Sequence, residues 1–245
     1  MSDLIVAKEH RVSSRPGSAL SRPIIVAVDG PAGSGKSSIC TAVCREIGYT
    51  YVNTGFLYRA VAYLCNRHAA SLDNQEALKN LIQDFSKNLI WEPKTGAVII
   101  SGEDIAPRLY TDEAGRLASS IATNELVRKE LLPLQRRLAL EADVGAIVDG
   151  RDIGTVVFPD ADVKVFMTAS LEVRANRRLK QLEGATAADL DEIMESIAKR
   201  DRQDSKRGSA PLKQAEDAIL LDTSALNPQE SMTALRKLIS DYSKN

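Results

Sequence analysis

Residues 24–47, IIVAVDGPAGSGKSSICTAVCREI, decide the fold. The opening run, Ile24 to Val28, is short, apolar and β-branched, as a buried strand requires. Gly30 to Ser37, GPAGSGKS, fits the pattern G-x-x-x-x-G-K-[ST]. Ser37 to Ile47 is compatible with a helix, and Gly48 stands where that helix would stop. Strand, glycine-rich loop and helix in this order form the context in which the pattern binds a phosphate chain. Gly30, Gly33 and Gly35 let the backbone turn N–H groups inward around phosphate oxygens. Pro31, Ala32, Ser34 and Ser38 complete the expected triphosphate loop. The helix start after Gly35 adds partial positive charge. Lys36 is placed to reach the outer phosphates, and the Ser37 hydroxyl to hold Mg2+. The plain alternative is a glycine-rich turn with a surface lysine. The motif implies nucleoside triphosphate binding and leaves open what the triphosphate is used for.

A chain of 245 residues, 44% of them apolar, suffices for one α/β domain with insertions and a real core. The balance of 32 basic against 33 acidic residues argues against bulk attraction to nucleic acid or membrane. No apolar run approaches the ~20 residues that cross a bilayer, and the N-terminus lacks a signal-peptide core. Cys40, Cys44 and Cys65 are too few for a disulfide framework and read as small buried residues. His10 and His68 have no partner pattern. These features indicate a cytoplasmic protein.

Met1 to Pro23 is polar, contains SSRPGSALSRP and reads as a disordered leader. After the first helix, Tyr51 to Thr54 reads as a strand leading into a helix over Gly55 to His68, and another helix is expected from about Asn74 to Lys87. The period then changes. Asn88 to Trp91 and Ala97 to Ile100 read as a hairpin joined through Glu92 to Gly96, with a third short strand near Glu103 to Ala106. A small antiparallel unit is thus inserted over about residues 70–110. Thr111 to Asp143 reads as two helices meeting near Thr123-Asn124, with Asn124 as a cap and a kink or break at Pro133. Buried strands are expected at Gly145 to Asp149, Val163 to Met167 and Ala218 to Leu221. Helices are expected at Leu171 to Leu182, Ala187 to about Arg202, and Pro228 to Tyr242. Strands alternating with helices call for a parallel sheet.

Further chemistry clusters at strand ends. Asp149 ends a buried strand, the position of an acidic group that helps hold Mg2+ through water or Ser37; a strand-terminal aspartate is equally a common turn residue. Arg151 has a planar fork suited to phosphate. Asp152 is an acceptor suited to an exocyclic amine or a hydroxyl. A local Arg151–Asp152 surface pair is the alternative. Thr54, Tyr58 and Arg59 follow the second strand, and the carboxyl ends of parallel strands line the ligand crevice. The run Arg200-Asp201-Arg202-Gln203-Asp204-Ser205-Lys206-Arg207 is either a solvated helix end or, with Gly208 to Pro211 as hinge, a basic flap that closes over the reactants.

Together these segments resemble the bacterial cytidylate kinases, which phosphorylate CMP and dCMP with ATP. The resemblance runs from about Ile24 to Tyr242 and rests on VDGPAGSGKS at 28–37, TGFLYRAVA at 54–62, DGRDIGTVVFPDA at 149–161 and RDRQDSKR with APL at 200–212. It implies an α/β phosphate-loop kinase fold of three layers, with a central parallel sheet, the small antiparallel insert as monophosphate-binding lobe, and a helical lid over about 175–210. It implies ATP and CMP or dCMP as substrates and Mg2+ as cofactor, with no nucleic-acid or membrane partner and a monomeric state. Lys36 and Ser37 would serve ATP and Mg2+. Arg59 and Arg151 would grip the CMP phosphate. Thr54, Ser119, Arg128, Asp152 and Arg207 would surround cytosine. Tyr58, Arg200 and Asp204 would contact the ribose or frame its pocket. Lys36, Arg59, Arg151 and Arg200 are the expected catalytic set. The sequence departs from the family pattern at Asn53, where Asp is frequent, at Ser37-Ser38, where Gly-Thr is more usual after the lysine, and at Gln203, where Arg is frequent. Other small-molecule kinases of the same fold are the nearest alternative. A nucleotide-gated switch is disfavoured by the lack of an N-K-x-D segment, and an ATP-driven transporter subunit by the lack of an LSGGQ-like segment.

Overall fold

The computed structural model describes residues 22–92, 97–109, 111–182 and 186–243. In chain order the elements are β1 (Ile24–Asp29), α1 (Lys36–Ile47), β2 (Thr50–Asn53), α2 (Thr54–Arg67), α3 (Gln75–Asn88), β3 (Leu89–Glu92), β4 (Ala97–Ile100), β5 (Glu103–Asp104), α4 (Ala106–Leu109), α5 (Asp112–Ile121) and α6 (Glu125–Leu140). There follow β6 (Gly145–Gly150), a π-helical turn (Ile153–Val157), β7 (Val163–Thr168), α7 (Leu171–Leu179), a 3-10 turn (Ala187–Asp189), α8 (Leu190–Ser205), β8 (Ile219–Asp222) and α9 (Pro228–Ser243). The chain divides into two compact units, one running up to Tyr51 and resuming at Ala139, the other Val52–Leu138.

The first unit is organised by a five-stranded parallel sheet in the order β2-β6-β1-β7-β8. Every residue of β1 and β6 is buried, which is why both read as unbroken apolar runs rather than alternating ones. β1 lies between β6 and β7 in parallel register, with Val28 opposite Asp149 and Asp29 opposite Gly150. Val26, Val28, Ile147, Val165 and Met167 form a core with Ile39, Cys40 and Val43 of α1 and with Leu235 and Ile239 of α9. Cys40 and Cys44 are buried there, and burial pushes the Cys44 thiol up to about 12. They are packing residues, as their spacing suggests.

The second unit packs α2, α3 and α5 with the antiparallel sheet β3-β4-β5 around Leu57, Val61, Leu78, Ile82, Phe85, Leu109 and Leu131. The starts of α3, α5 and α6 are capped by side chains. Asn74 accepts from the Ala77 N–H, Thr111 from Ala114, and Asn124 from Leu126 and Val127.

Several expectations need adjustment. α6 runs unbroken through Pro133, because burial of Leu131 and Leu134 on its inner face outweighs the one N–H that proline withholds. α7 stops at Leu179, three residues before the expected end, and α8 is preceded by a 3-10 turn. The third strand is confined to Glu103 and Asp104. Of the leader, 1–21 lie outside the described residues, as do 93–96 of the hairpin loop. Arg22, expected within the leader, donates two hydrogen bonds to Asp162 at 2.8 and 2.9 Å. Asp162 also accepts from the Ile25 N–H and the Tyr242 hydroxyl.

Candidate active site

The loop between β1 and α1 has a shape that its glycines alone permit. Gly30 has φ +149°, and a Cβ there would lie 1.9 Å from the Met167 carbonyl oxygen. Gly35, at φ +92°, caps α1 in the left-handed conformation. Lys36 is buried at the first position of the helix. Its Nζ donates to the carbonyls of Gly30 at 2.7 Å and Pro31 at 2.8 Å, and to Ser34 Oγ at 3.2 Å. Burial, then the neighbouring Arg151 charge, pulls its pKa down to about 7. Ser37 and Ser38 stand exposed at the head of the helix.

The loop is also held from outside. The Ala32 carbonyl accepts from Arg174 at 2.9 Å, and its N–H donates to Asp201 at 3.2 Å. Arg174 and Asp201 are themselves paired at 2.5 Å. Arg177 donates to the Ser34 carbonyl at 3.1 Å and to the Thr223 carbonyl at 2.7 Å. The sequence reading assigned no part to Arg174 or Arg177 and treated Asp201 only as one charge in a run. The i, i+3 spacing of two arginines on one helix was the available signal.

Asp149 closes on the loop. Its Oδ2 accepts from Ser37 Oγ at 2.7 Å and from the Tyr51 hydroxyl at 2.9 Å. Burial first, with the Asp149 charge beside it, holds the Tyr51 hydroxyl well above its ordinary pKa. Tyr51 was read only as a strand residue. A serine hydroxyl and a carboxylate are hard oxygen donors, and they fit Mg2+, which takes one or two protein oxygens and fills the rest of its octahedron with water and phosphate. Among the described residues no group of three or more His, Cys, Asp or Glu is arranged as an all-protein cage.

Arg151 donates through Nε to Asp204 at 2.8 Å, so the local Arg151–Asp152 pairing gives way to a link with α8. Asp204 is 3% exposed. Burial works to raise its pKa, but the charges of Arg151, Arg207 and Arg200 outweigh it and hold it below the usual carboxylate value. Arg207 donates to the Asp204 carbonyl at 3.2 Å. Arg151, Arg200, Asp204 and Arg207 are therefore one charged cluster, not a solvated helix end. Past it, the Leu212 N–H bonds the Asp204 carbonyl at 2.8 Å, and Ala210 takes φ +49°. Asp152 is buried beside this cluster in sequence. Asp29, the last residue of β1, accepts from the N–H groups of Ile153 and Gly154, both at 2.8 Å.

In the second unit, Arg128 lies with Cζ 5.6 Å from the Tyr58 ring centroid, and both are buried. Arg59 donates to the Leu109 carbonyl at 2.9 Å and has Cζ 5.8 Å from the Phe56 ring. Thr54 and Ser119 are buried polar residues. Among the described residues no helix is long and apolar enough to cross a membrane.

The sequence profile described as cytidylate kinase matches residues 26–241. The chain belongs to the cytidylate kinase family. It is 40% identical over 218 residues to the cytidylate kinase of Thermotoga maritima, covering 88% of this chain and 96% of the relative. It is 36% identical over 222 residues to that of Bacillus cereus, covering 90% and 98%. A solved structure from Eubacterium ventriosum, an uncharacterized protein 11% identical, aligns over 90% of this chain and 99% of its own with a TM-score of 0.50. The chain is a nucleoside monophosphate kinase with the α/β phosphate-loop kinase fold: a central parallel sheet with flanking helices and a small antiparallel sheet.

Proposed function

We propose that this kinase transfers the γ-phosphoryl group of ATP to CMP or dCMP, with Mg2+, giving ADP and CDP or dCDP. The observation that carries the reading is the 2.7 Å bond from Ser37 to Asp149. It joins the triphosphate loop to the DGRD segment that is the family's most specific motif in this chain. Gly30 to Ser38 bind ATP, and Ser37 with Asp149, through water, holds the metal. Held there, Mg2+ would supply positive charge against the phosphate oxygens. Everything else falls to side chains of this chain. Thr54, Tyr58, Arg59, Ser119, Arg128, Arg151, Asp152, Arg200, Asp204 and Arg207 are the residues assigned to the acceptor nucleotide. Residues 70–110 serve as the monophosphate-binding lobe and about 175–210 as the lid. The enzyme acts in the cytoplasm as a monomer on small molecules alone.

The CMP phosphate oxygen attacks the γ-phosphorus in line. A phosphate monoester has its second pKa near ~6, so the nucleophile is already ionised at neutral pH and no strong general base is required. The obstacle is repulsion between two polyanions. Lys36, Arg59, Arg151 and Arg200 offset that repulsion and stabilise charge on the moving group. An arginine in this role contributes on the order of 10³ in rate, or about 4 kcal/mol. Asp152 accepts from the cytosine amine and repels the carbonyl that uracil has in its place. The test is an acceptor panel of CMP, dCMP, UMP, AMP and shikimate, scored by ADP release. CMP and dCMP are expected to lead, and a lead by any other acceptor overturns the assignment.

A further inference from the structure

The turn that follows Arg151 and Asp152 is capped from another strand. Asp152 occupies the N-cap position of the π-helical turn, with φ −141° and ψ 25°, and its side chain makes no capping bond. An aspartate at an N-cap ordinarily accepts from an N–H two or three residues on, because the first N–H groups of a helical turn lack partners. Here Asp29 supplies both acceptors. Its Oδ1 takes the Ile153 N–H and its Oδ2 the Gly154 N–H, each at 2.8 Å. The register explains the reach: Asp29 ends β1 directly opposite Gly150, where β6 ends. The fit is close, since a Cβ on Gly154 would lie 3.4 Å from Asp29 Oδ2 and 3.2 Å from Lys164 Cδ. The Asp152 charge is felt at Asp29, where it acts to raise the pKa. By the same repulsion the buried Asp29 carboxylate disfavours a second carboxylate at the cap.

We propose that Asp29 is a positioning residue for base selection: by capping the turn from β1, it keeps the Asp152 carboxylate from being consumed as a cap, so that Asp152 can read the nucleotide base. The inference rests on the reading above in which Asp152 accepts from the cytosine amine. A purely structural Asp29 would affect every acceptor alike, whereas a positioning role falls on the choice between cytosine and uracil.

The experiment measures kcat/KM for CMP and UMP at saturating ATP and Mg2+ in wild type, Asp29→Asn, Asp152→Asn and the double variant. Asp152→Asn is expected to lower the CMP:UMP ratio by about ten- to a hundredfold, the span of one hydrogen bond to a charged group. Asp29→Asn is expected to lower the ratio towards the same limit, and the double variant to go no lower than Asp152→Asn alone. An unchanged ratio in Asp152→Asn overturns the base-reading assignment itself. A ratio that falls in Asp152→Asn but holds in Asp29→Asn, or strict additivity in the double variant, overturns only the positioning role. If Asp29→Asn fails to fold, amide hydrogen exchange in the wild type decides. Ile153 and Gly154 protected like the amides of β1 support the cap, and exchange at the rate of an exposed loop overturns it.

Discussion

Lys36→Met separates what the lysine does to the fold from what it does for turnover. The ammonium is buried at the start of α1, and burial followed by the Arg151 charge brings its pKa from 10.5 to about 7. Each unit is worth about 1.4 kcal/mol, so carrying the charge inside the fold costs on the order of 5 kcal/mol. The folded pKa is the lower of the two, so between about pH 7 and 10.5 the unfolded chain binds more protons than the folded one. The penalty is complete below about 7, and it is relieved as pH rises to 10.5. Methionine has no such dependence. It also forgoes the three bonds to Gly30, Pro31 and Ser34, a loss of roughly 1 kcal/mol each, but that loss is the same at every pH. Urea unfolding of both proteins through this window is expected to show the wild type gaining on Lys36→Met by on the order of 5 kcal/mol. The variant is expected to fold and to release no ADP. A stability difference flat in pH refutes the account of Lys36 as a buried, partly neutralised cation, and retained turnover refutes its role.

Arg151→Met removes the partner of a buried carboxylate, Asp204, and is expected to cost about 3 kcal/mol in urea unfolding. Because the cluster depresses the Asp204 pKa, that stability is present above the ordinary 3.8 and is lost as pH falls through the lower folded value; the variant's acid transition should therefore move to higher pH. Asp149→Asn keeps an oxygen for Ser37 but loses the charge, so the Mg2+ concentration for half-maximal rate should rise about tenfold or more, read from initial rates against metal. Gly30→Ala places a Cβ 1.9 Å from the Met167 carbonyl, and a stability loss above about 4 kcal/mol is expected in thermal unfolding.

What the sequence revealed and what it hid follow from how local each contact is. The phosphate loop was legible because its chemistry sits within eight consecutive residues, with strand and helix on either side. Ser37 and Asp149 were each legible as metal-side groups, one in the loop and one at a strand end, whereas their direct 2.7 Å bond depends on how β6 lies beside β1. Tyr51 escaped notice because tyrosine in a strand reads as packing, and its hydroxyl finds Asp149 only through pairing 98 residues away in sequence. Asp201 of α8 and Arg174 of α7 hold the N–H and the carbonyl of Ala32, a convergence with no period along the chain. Pro133 misled in the other direction, since the local rule for proline ignores what a buried helix face holds together. Asp29 was quoted within its motif, yet its role depends on register with β6, which a single strand does not encode.

Phosphorus-31 spectra of the enzyme with ATP, CMP and Mg2+ test the whole account most directly. The resonances of CDP are expected to grow in step with those of ADP, with no inorganic phosphate. Conversion of ATP to ADP and inorganic phosphate without CDP would contradict it.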